Sequence, residues 1–176
     1  MKLNVQAGNS IKSKMLGSRI MKRNRTIKTY AMNLDAGAND IFSLLCPVRE
    51  YDWIQPWKCE MIYSNSGRVE LDCVFKTNFP DDGPEDTWVV SRYEPPEYLE
   101  FVRINPIRSI RYSISVIKQD DRSSQAIWKQ VITGLNPEGD NFVDSSTDEA
   151  YYSEMRILQN MINHFLKTGK MLKIME

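Results

Sequence analysis

From Thr26 to Thr133 the chain repeats one pattern: short runs in which apolar and polar side chains alternate, divided by clusters of Gly, Pro, Asn and Asp. Alternation with a period of two marks a strand that lays one face on a core. The runs are Thr26–Met32, Cys59–Tyr63, Cys73–Phe79, Thr87–Tyr93, Tyr98–Ile104, Ser109–Lys118 and Gln125–Thr133. Between them lie turn sequences such as Ser64-Asn65-Ser66-Gly67, Glu94-Pro95-Pro96, Asn105-Pro106 and Gly134-Leu135-Asn136-Pro137-Glu138-Gly139. Connections this tight imply antiparallel neighbours, because parallel pairs need long crossovers. The series is interrupted once, after the first strand. There Asn39 or Asp40 caps a short helix through Ile41, Phe42, Leu44 and Leu45, and Pro47 opens a second, Val48–Trp53, which Pro56 stops.

The period changes near the C-terminus. From Asp144 to Thr168 there is no Pro or Gly, and Tyr151, Met155, Leu158, Ile162, Phe165 and Leu166 recur at helical spacing. Ser145, Ser146 or Thr147 serves as N-cap, Asp148 and Glu149 suit the first turn, and Gly169 lies just beyond the end. About 22 helical residues would span roughly 33 Å, enough to cross a sheet. The order predicts an α+β fold, a curved antiparallel sheet of about seven strands around a long C-terminal helix, with two short helices after the first strand.

Composition narrows the function classes. The 176 residues suit one domain and bury enough surface to fold without disulfide or metal. Three cysteines, Cys46, Cys59 and Cys73, form no CxxC or Cys/His cluster and read as small core residues of a cytoplasmic protein. No apolar run has the length of a membrane span. Net charge is zero but unevenly spread: eight of the 23 bases precede the first acid, Asp35, which leaves 15 bases against 23 acids beyond it. Residues 1–23 therefore read as a basic, flexible arm and 24–176 as a single domain. The arm lacks aromatics to stack on bases, so nucleic acid is not expected as a partner.

The segments Leu45–Ile54 (LCPVREYDWI), Trp57–Ser64 (WKCEMIYS), Cys73–Thr77, Thr87–Tyr93 and Ile162–Leu166 carry a family likeness. On them the sequence resembles the START-like, polyketide-cyclase and birch-allergen superfamily (the SRPBCC group), and within it small bacterial members of unassigned function. The likeness runs from Asn24 to Gly169. It implies the helix-grip fold and a deep cavity between sheet and helix for a lipid, sterol, polyketide or other apolar molecule. The superfamily has no universal catalytic motif, so activity is left open.

Candidate lining residues are aromatic first. Trp53 and Trp57 flank Pro56 where the short helices meet the first hairpin. Trp88, Phe101, Tyr112 and Trp128 lie on four successive strands, and Tyr151, Met155 and Leu158 face them from the long helix. The same residues suit plain core filling. Arg92 alternates with Trp88 and Val90; inward it would hold a ligand carboxylate or phenolate, outward it is a solvated rim charge. Gln130 shares a face with Trp128 and Ile132 and would hydrogen-bond inside a cavity. The charged segment Arg49–Trp53 offers an acid at the cavity mouth, or surface ion pairs. His164 is the sole histidine and falls off the helix stripe, so neither a metal nor any other cofactor is implied.

Three functions fit: a monomeric or homodimeric carrier of a small apolar molecule, an enzyme of cyclase, aromatase or hydrolase type acting on one, or a protein-interaction module.

Overall fold

The computed structural model describes residues 22–79 and 82–173. The basic arm therefore lies outside the described residues, apart from Lys22 and Arg23. Strands β1 (Arg25–Leu34), β2 (Cys59–Tyr63), β3 (Val74–Thr77), β4 (Asp86–Glu94), β5 (Tyr98–Ile104), β6 (Arg108–Lys118) and β7 (Ser124–Gly134) form one antiparallel sheet in the order β1-β7-β6-β5-β4-β3-β2. Each consecutive pair from β2 to β7 is adjacent in the sheet, joined by longer loops on either side of β3 and by shorter connections from β4 onward. Only β1 and β2 are separated, standing at opposite edges, and helices α1 (Ala38–Leu44) and α2 (Pro47–Glu50) carry the chain between them. The long helix α4 (Asp148–Thr168) packs on the inner face beside β1.

Pairing decides which face of β1 is inner. Lys28 stands opposite Gln130 and Tyr30 opposite Trp128 on β7. Lys28, Met32 and Leu34 are consequently buried, while Ile27 on the other face is 58% exposed. A buried lysine needs partners. The Lys28 ammonium donates to the Ser146 carbonyl at 2.8 Å and to Asp148 at 2.5 Å, which ties β1 to the start of α4. Farther along, Tyr30 donates to Gln159 at 3.0 Å, and Gln159 and Asn163 both donate to the Asn33 carbonyl. Tyr151, Met155, Met161 and Ile162 are the buried residues of α4.

One helix was read from the sequence as a turn. Residues Pro137–Ser145 form α3, capped by Asn136, whose side chain accepts from Gly139 N at 2.9 Å. Pro137 sits in its first turn, where a proline costs no hydrogen bond. Asp144 and Ser145 end α3, and α4 starts at Asp148, the latest of the expected starts. Its N-cap is Thr147, which accepts from Ala150 N at 3.2 Å. Gly169 closes it in the left-handed conformation. Gly139 is required by close approach: a Cβ there would lie 1.8 Å from the Ile107 carbonyl oxygen. The three cysteines are unpaired, with Cys46 and Cys73 buried.

The approach of α3 to the β5–β6 turn sets the first expectation. Gly139→Ala must push α3 off that turn and should lower stability by about 1–3 kcal/mol in urea denaturation. An unchanged midpoint would contradict the contact.

Candidate functional site

The inner sheet face is paved with aromatic rings in a fixed register. Trp88 pairs with Arg103, Phe101 with Tyr112, Tyr112 with Gln130, and Ile114 with Trp128. Phe75 stacks on Trp88 at 5.4 Å between centroids, and Phe101 meets both rings edge-on. Tyr112 then meets Trp88 and Trp128 edge-on at 5.9 and 5.8 Å. Edge-to-face contacts of this kind hold each ring in place without a close sandwich.

Between this pavement and α4 lies a cavity of about 490 Å³. Eight predicted residues line it: Trp57, Trp88, Phe101, Tyr112, Trp128, Gln130, Met155 and Leu158. Tyr151 lines an adjoining space of about 560 Å³, which shares Pro56, Phe79, Asp82, Arg103, Gln130 and Glu154 with the first. The two form one continuous hollow that opens between α3, α4 and the β3–β4 turn.

Two predicted residues stand elsewhere. Trp53 is 0% exposed and belongs to the solid core under α1, where its Nε1 donates to the Leu44 carbonyl at 3.0 Å. Arg92 points away from the cavity. The β4–β5 register shifts between Val90 and Arg92, and this bulge breaks the alternation that placed Arg92 with Trp88 and Val90. Tyr93 turns inward instead and packs on Phe42. Arg92 is 54% exposed, makes two hydrogen bonds to Glu94 and lies over the Tyr98 ring. His164 is half-buried on α4.

Several wall residues were not singled out from the sequence. Arg103 follows Phe101 by two positions and so shares its face; its guanidinium lies 4.9 Å from the centroid of Trp88. It donates to Asp86 at 2.8 Å and also to Asp82. Arg108 donates to Asp86 at 3.0 Å and to the Asp82 carbonyl. Two arginines and two aspartates thus neutralise one another at one end of the hollow. Burial raises Asp86 and the nearby arginines oppose the rise. Glu154, three residues after Tyr151 on α4, stands at the mouth, and desolvation raises its pKa, with Asp82 adding to the rise.

The acid of the Arg49–Trp53 segment that reaches the cavity is Glu50. Its half-buried carboxyl has no hydrogen-bond or ion-pair partner among the described residues, and desolvation pushes its pKa up to about 8. Burial also raises the Tyr112 hydroxyl far above the ordinary phenol value, so it stays neutral. Trp128, 3% exposed, has no partner for its indole N–H. Among the described residues, no three His, Cys, Asp or Glu side chains converge as metal ligands. No helix there is long and apolar enough to cross a membrane.

No protein-family model matches the sequence, and no curated protein matches it. Solved structures do match in fold. Norcoclaurine synthase from Thalictrum flavum, with a transition-state analogue, is 14% identical with a TM-score of 0.59, over 82% of this chain and 96% of that one. Another structure of that enzyme holds dopamine and hydroxybenzaldehyde. The Mll3558 protein from Rhizobium loti is 12% identical with a TM-score of 0.55, over 82% of this chain and 99% of that one. DynU16, from the dynemicin biosynthetic locus, is 12% identical with a TM-score of 0.53 over 82% of this chain, which spans about half of its length (48%). The architecture is the helix-grip fold that the sequence resemblance implied.

Glu50 makes stability depend on pH. Its folded pKa of about 8 lies above its ordinary value of 4.5, so the folded state holds the proton more tightly. The stabilisation is complete below 4.5 and is lost as pH rises through 8. Glu50→Gln cannot ionise and should match the native protein at pH 4.5. At pH 9 it should exceed it by about 2 kcal/mol, less than the full shift implies because Glu50 is only half-buried and solvent screens the anion. Parallel melting curves at both pH values would disprove the assignment.

Proposed function

We propose that this protein is a cytoplasmic carrier whose single domain, residues 24–176, binds a small, mostly apolar molecule in the cavity between sheet and α4. The observation that carries this reading is the aromatic wall around 490 Å³ of space left between the sheet and α4. A cavity of this volume with a few polar groups suits a ring-bearing ligand of modest size. Transferring about 250 Å² of apolar ligand surface at ~25 cal/mol/Å² contributes roughly 6 kcal/mol before association costs, consistent with micromolar binding. The aromatic molecules held by norcoclaurine synthase support the same choice of ligand size.

A second reading is favoured by one group. A carboxyl with a pKa of about 8, lining an aromatic cavity, is poised to move a proton near neutral pH. On that reading the protein is an enzyme of cyclase or aromatase type, with Glu50 as general acid or base and Tyr112 or Gln130 orienting a carbonyl.

Native mass spectrometry of the protein from its own host tests the carrier, with a thermal-shift panel of fatty acids, sterols and aromatic polyketides. A stoichiometric small molecule, or a melting shift that saturates, is expected. An empty and unshifted protein would remove the carrier reading. Leu158→Trp places a large ring at the cavity wall. It should weaken any ligand by at least about tenfold while circular dichroism stays unchanged. Turnover lost in Glu50→Gln with binding retained would move the assignment to the enzyme.

A further inference from the structure

The charges on the cavity wall do not balance, and the excess is specific. Arg103 is already satisfied by Asp82 and Asp86, and Arg108 by the same pair. Glu50 and Glu154 remain, and neither has an ion-pair partner among the described residues. Around them stand the rings of Trp57, Phe101, Tyr112 and Trp128. An unpaired carboxyl in an aromatic-lined cavity is costly when empty and complementary to one kind of guest: a positive charge on an apolar body.

We propose that the cavity selects an organic cation, an ammonium-bearing molecule with an apolar or aromatic body, whose charge is met by Glu50 and the surrounding rings. This rests on the ligand-binding reading above and names the class of ligand. The unpartnered Trp128 indole N–H is a second unmet group in the same wall, and a hydrogen-bond acceptor on the guest would satisfy it. Glu50 is the ion that pairs with the guest, and Glu154 draws the cation to the mouth.

The linkage follows. In the empty cavity Glu50 is mostly protonated at pH 7, since its pKa is about 8. A cation must displace that proton, so binding at pH 7 releases one proton. Affinity should rise about tenfold from pH 7 to pH 9 as the competent anion becomes the main form. The other titratable groups that feel Glu50 are Cys59 on β2 and Tyr112 on β6, and Asp82 before β4, Arg103 on β5 and Glu154 on α4 line the same cavity. Burial raises the Tyr112 hydroxyl far above the ordinary phenol value, and it raises the Cys59 thiol as well. Arg103 is held by its aspartates.

The test uses the full chain and two probes of nearly equal shape. Phenyltrimethylammonium carries a permanent charge, and tert-butylbenzene replaces its nitrogen by carbon. Binding is measured by calorimetry and thermal shift at pH 7 and pH 9, with native protein and Glu50→Gln. The cation should bind at least about tenfold tighter than the hydrocarbon at pH 9, and gain about tenfold between the two pH values. Glu50→Gln, which the pH argument expects to be stable, should lose both the preference and the gain. Tighter or equal binding of tert-butylbenzene would overturn the proposal and leave the apolar cavity standing. Cation binding unaltered in Glu50→Gln would overturn it as well. Binding of neither probe, together with failure of the ligand panel, would remove the cavity reading itself.

Discussion

A single helix is too narrow to fill a seven-stranded sheet, and that mismatch shapes the molecule. Six strand spacings of about 4.8 Å make a surface about 29 Å wide, whereas a helix with its side chains is about 10–12 Å across. Curvature reduces the difference but does not remove it. Here α4 settles beside β1, held there by Lys28, Tyr30 and the Asn33 carbonyl. The inner face of β3 to β7 away from α4 is then left for large side chains of the sheet itself to cover. Phe75, Trp88, Phe101, Tyr112 and Trp128 do this by bracing one another edge to face. Rings fixed by neighbours on the same sheet do not collapse toward the helix, and the space between persists.

The two ends of that space handle charge differently. Beside the β3–β4 turn, Arg103, Arg108 and Asp86 are buried together with a partly exposed Asp82. Buried ions are tolerable when each finds its opposite, though the pair adds little net stability over apolar packing. Even so, Asp86 Oδ1 and Arg108 Nε lack partners, which helps explain why desolvation is the largest cause of both shifts. Arg103 spends its remaining face on Trp88. The cluster thus leaves no cation to serve Glu50, which reaches the cavity from the last residue of α2. Had one arginine been free to turn toward it, the Glu50 pKa would have been drawn down.

How much of this was legible follows from which rule governed each residue. Period-two alternation located all seven strands, and the 3.6 period located α4, because burial of one face is written directly into residue order. Seven of the eight predicted lining residues followed from strand alternation and helix stripe, and Trp57 from its place beside Pro56. Arg92 failed because a bulge inserts a residue into β4, and nothing local in Val90-Ser91-Arg92 announces it. Helix α3 was missed because Pro137 and Gly139 looked like turn residues. Their signal was present in the Asn136-Pro137 pair, a side-chain cap followed by proline in the first turn. Gly139 was unreadable, since it answers to Ile107, far away in sequence. Glu50 was visible as one acid in a charged segment, but which of the acids faced inward depended on a four-residue helix whose rotation no period fixes. Arg103 and Glu154 were recoverable by counting from Phe101 and Tyr151, had charged residues been allowed on an inner face.

Those inner charged residues decide what kind of hollow this is. An aromatic cavity without them would rank ligands by size and apolar area, and many molecules would pass. With a neutral Tyr112 hydroxyl, an unfilled indole N–H and an uncompensated carboxyl, polarity at fixed points enters the ranking. Leaving such groups unmet costs the empty protein stability, and the right guest recovers that cost on entry. The destabilising placement of Glu50 is therefore a feature that core packing alone does not account for: a solid core would have taken leucine at that position and been more stable for it.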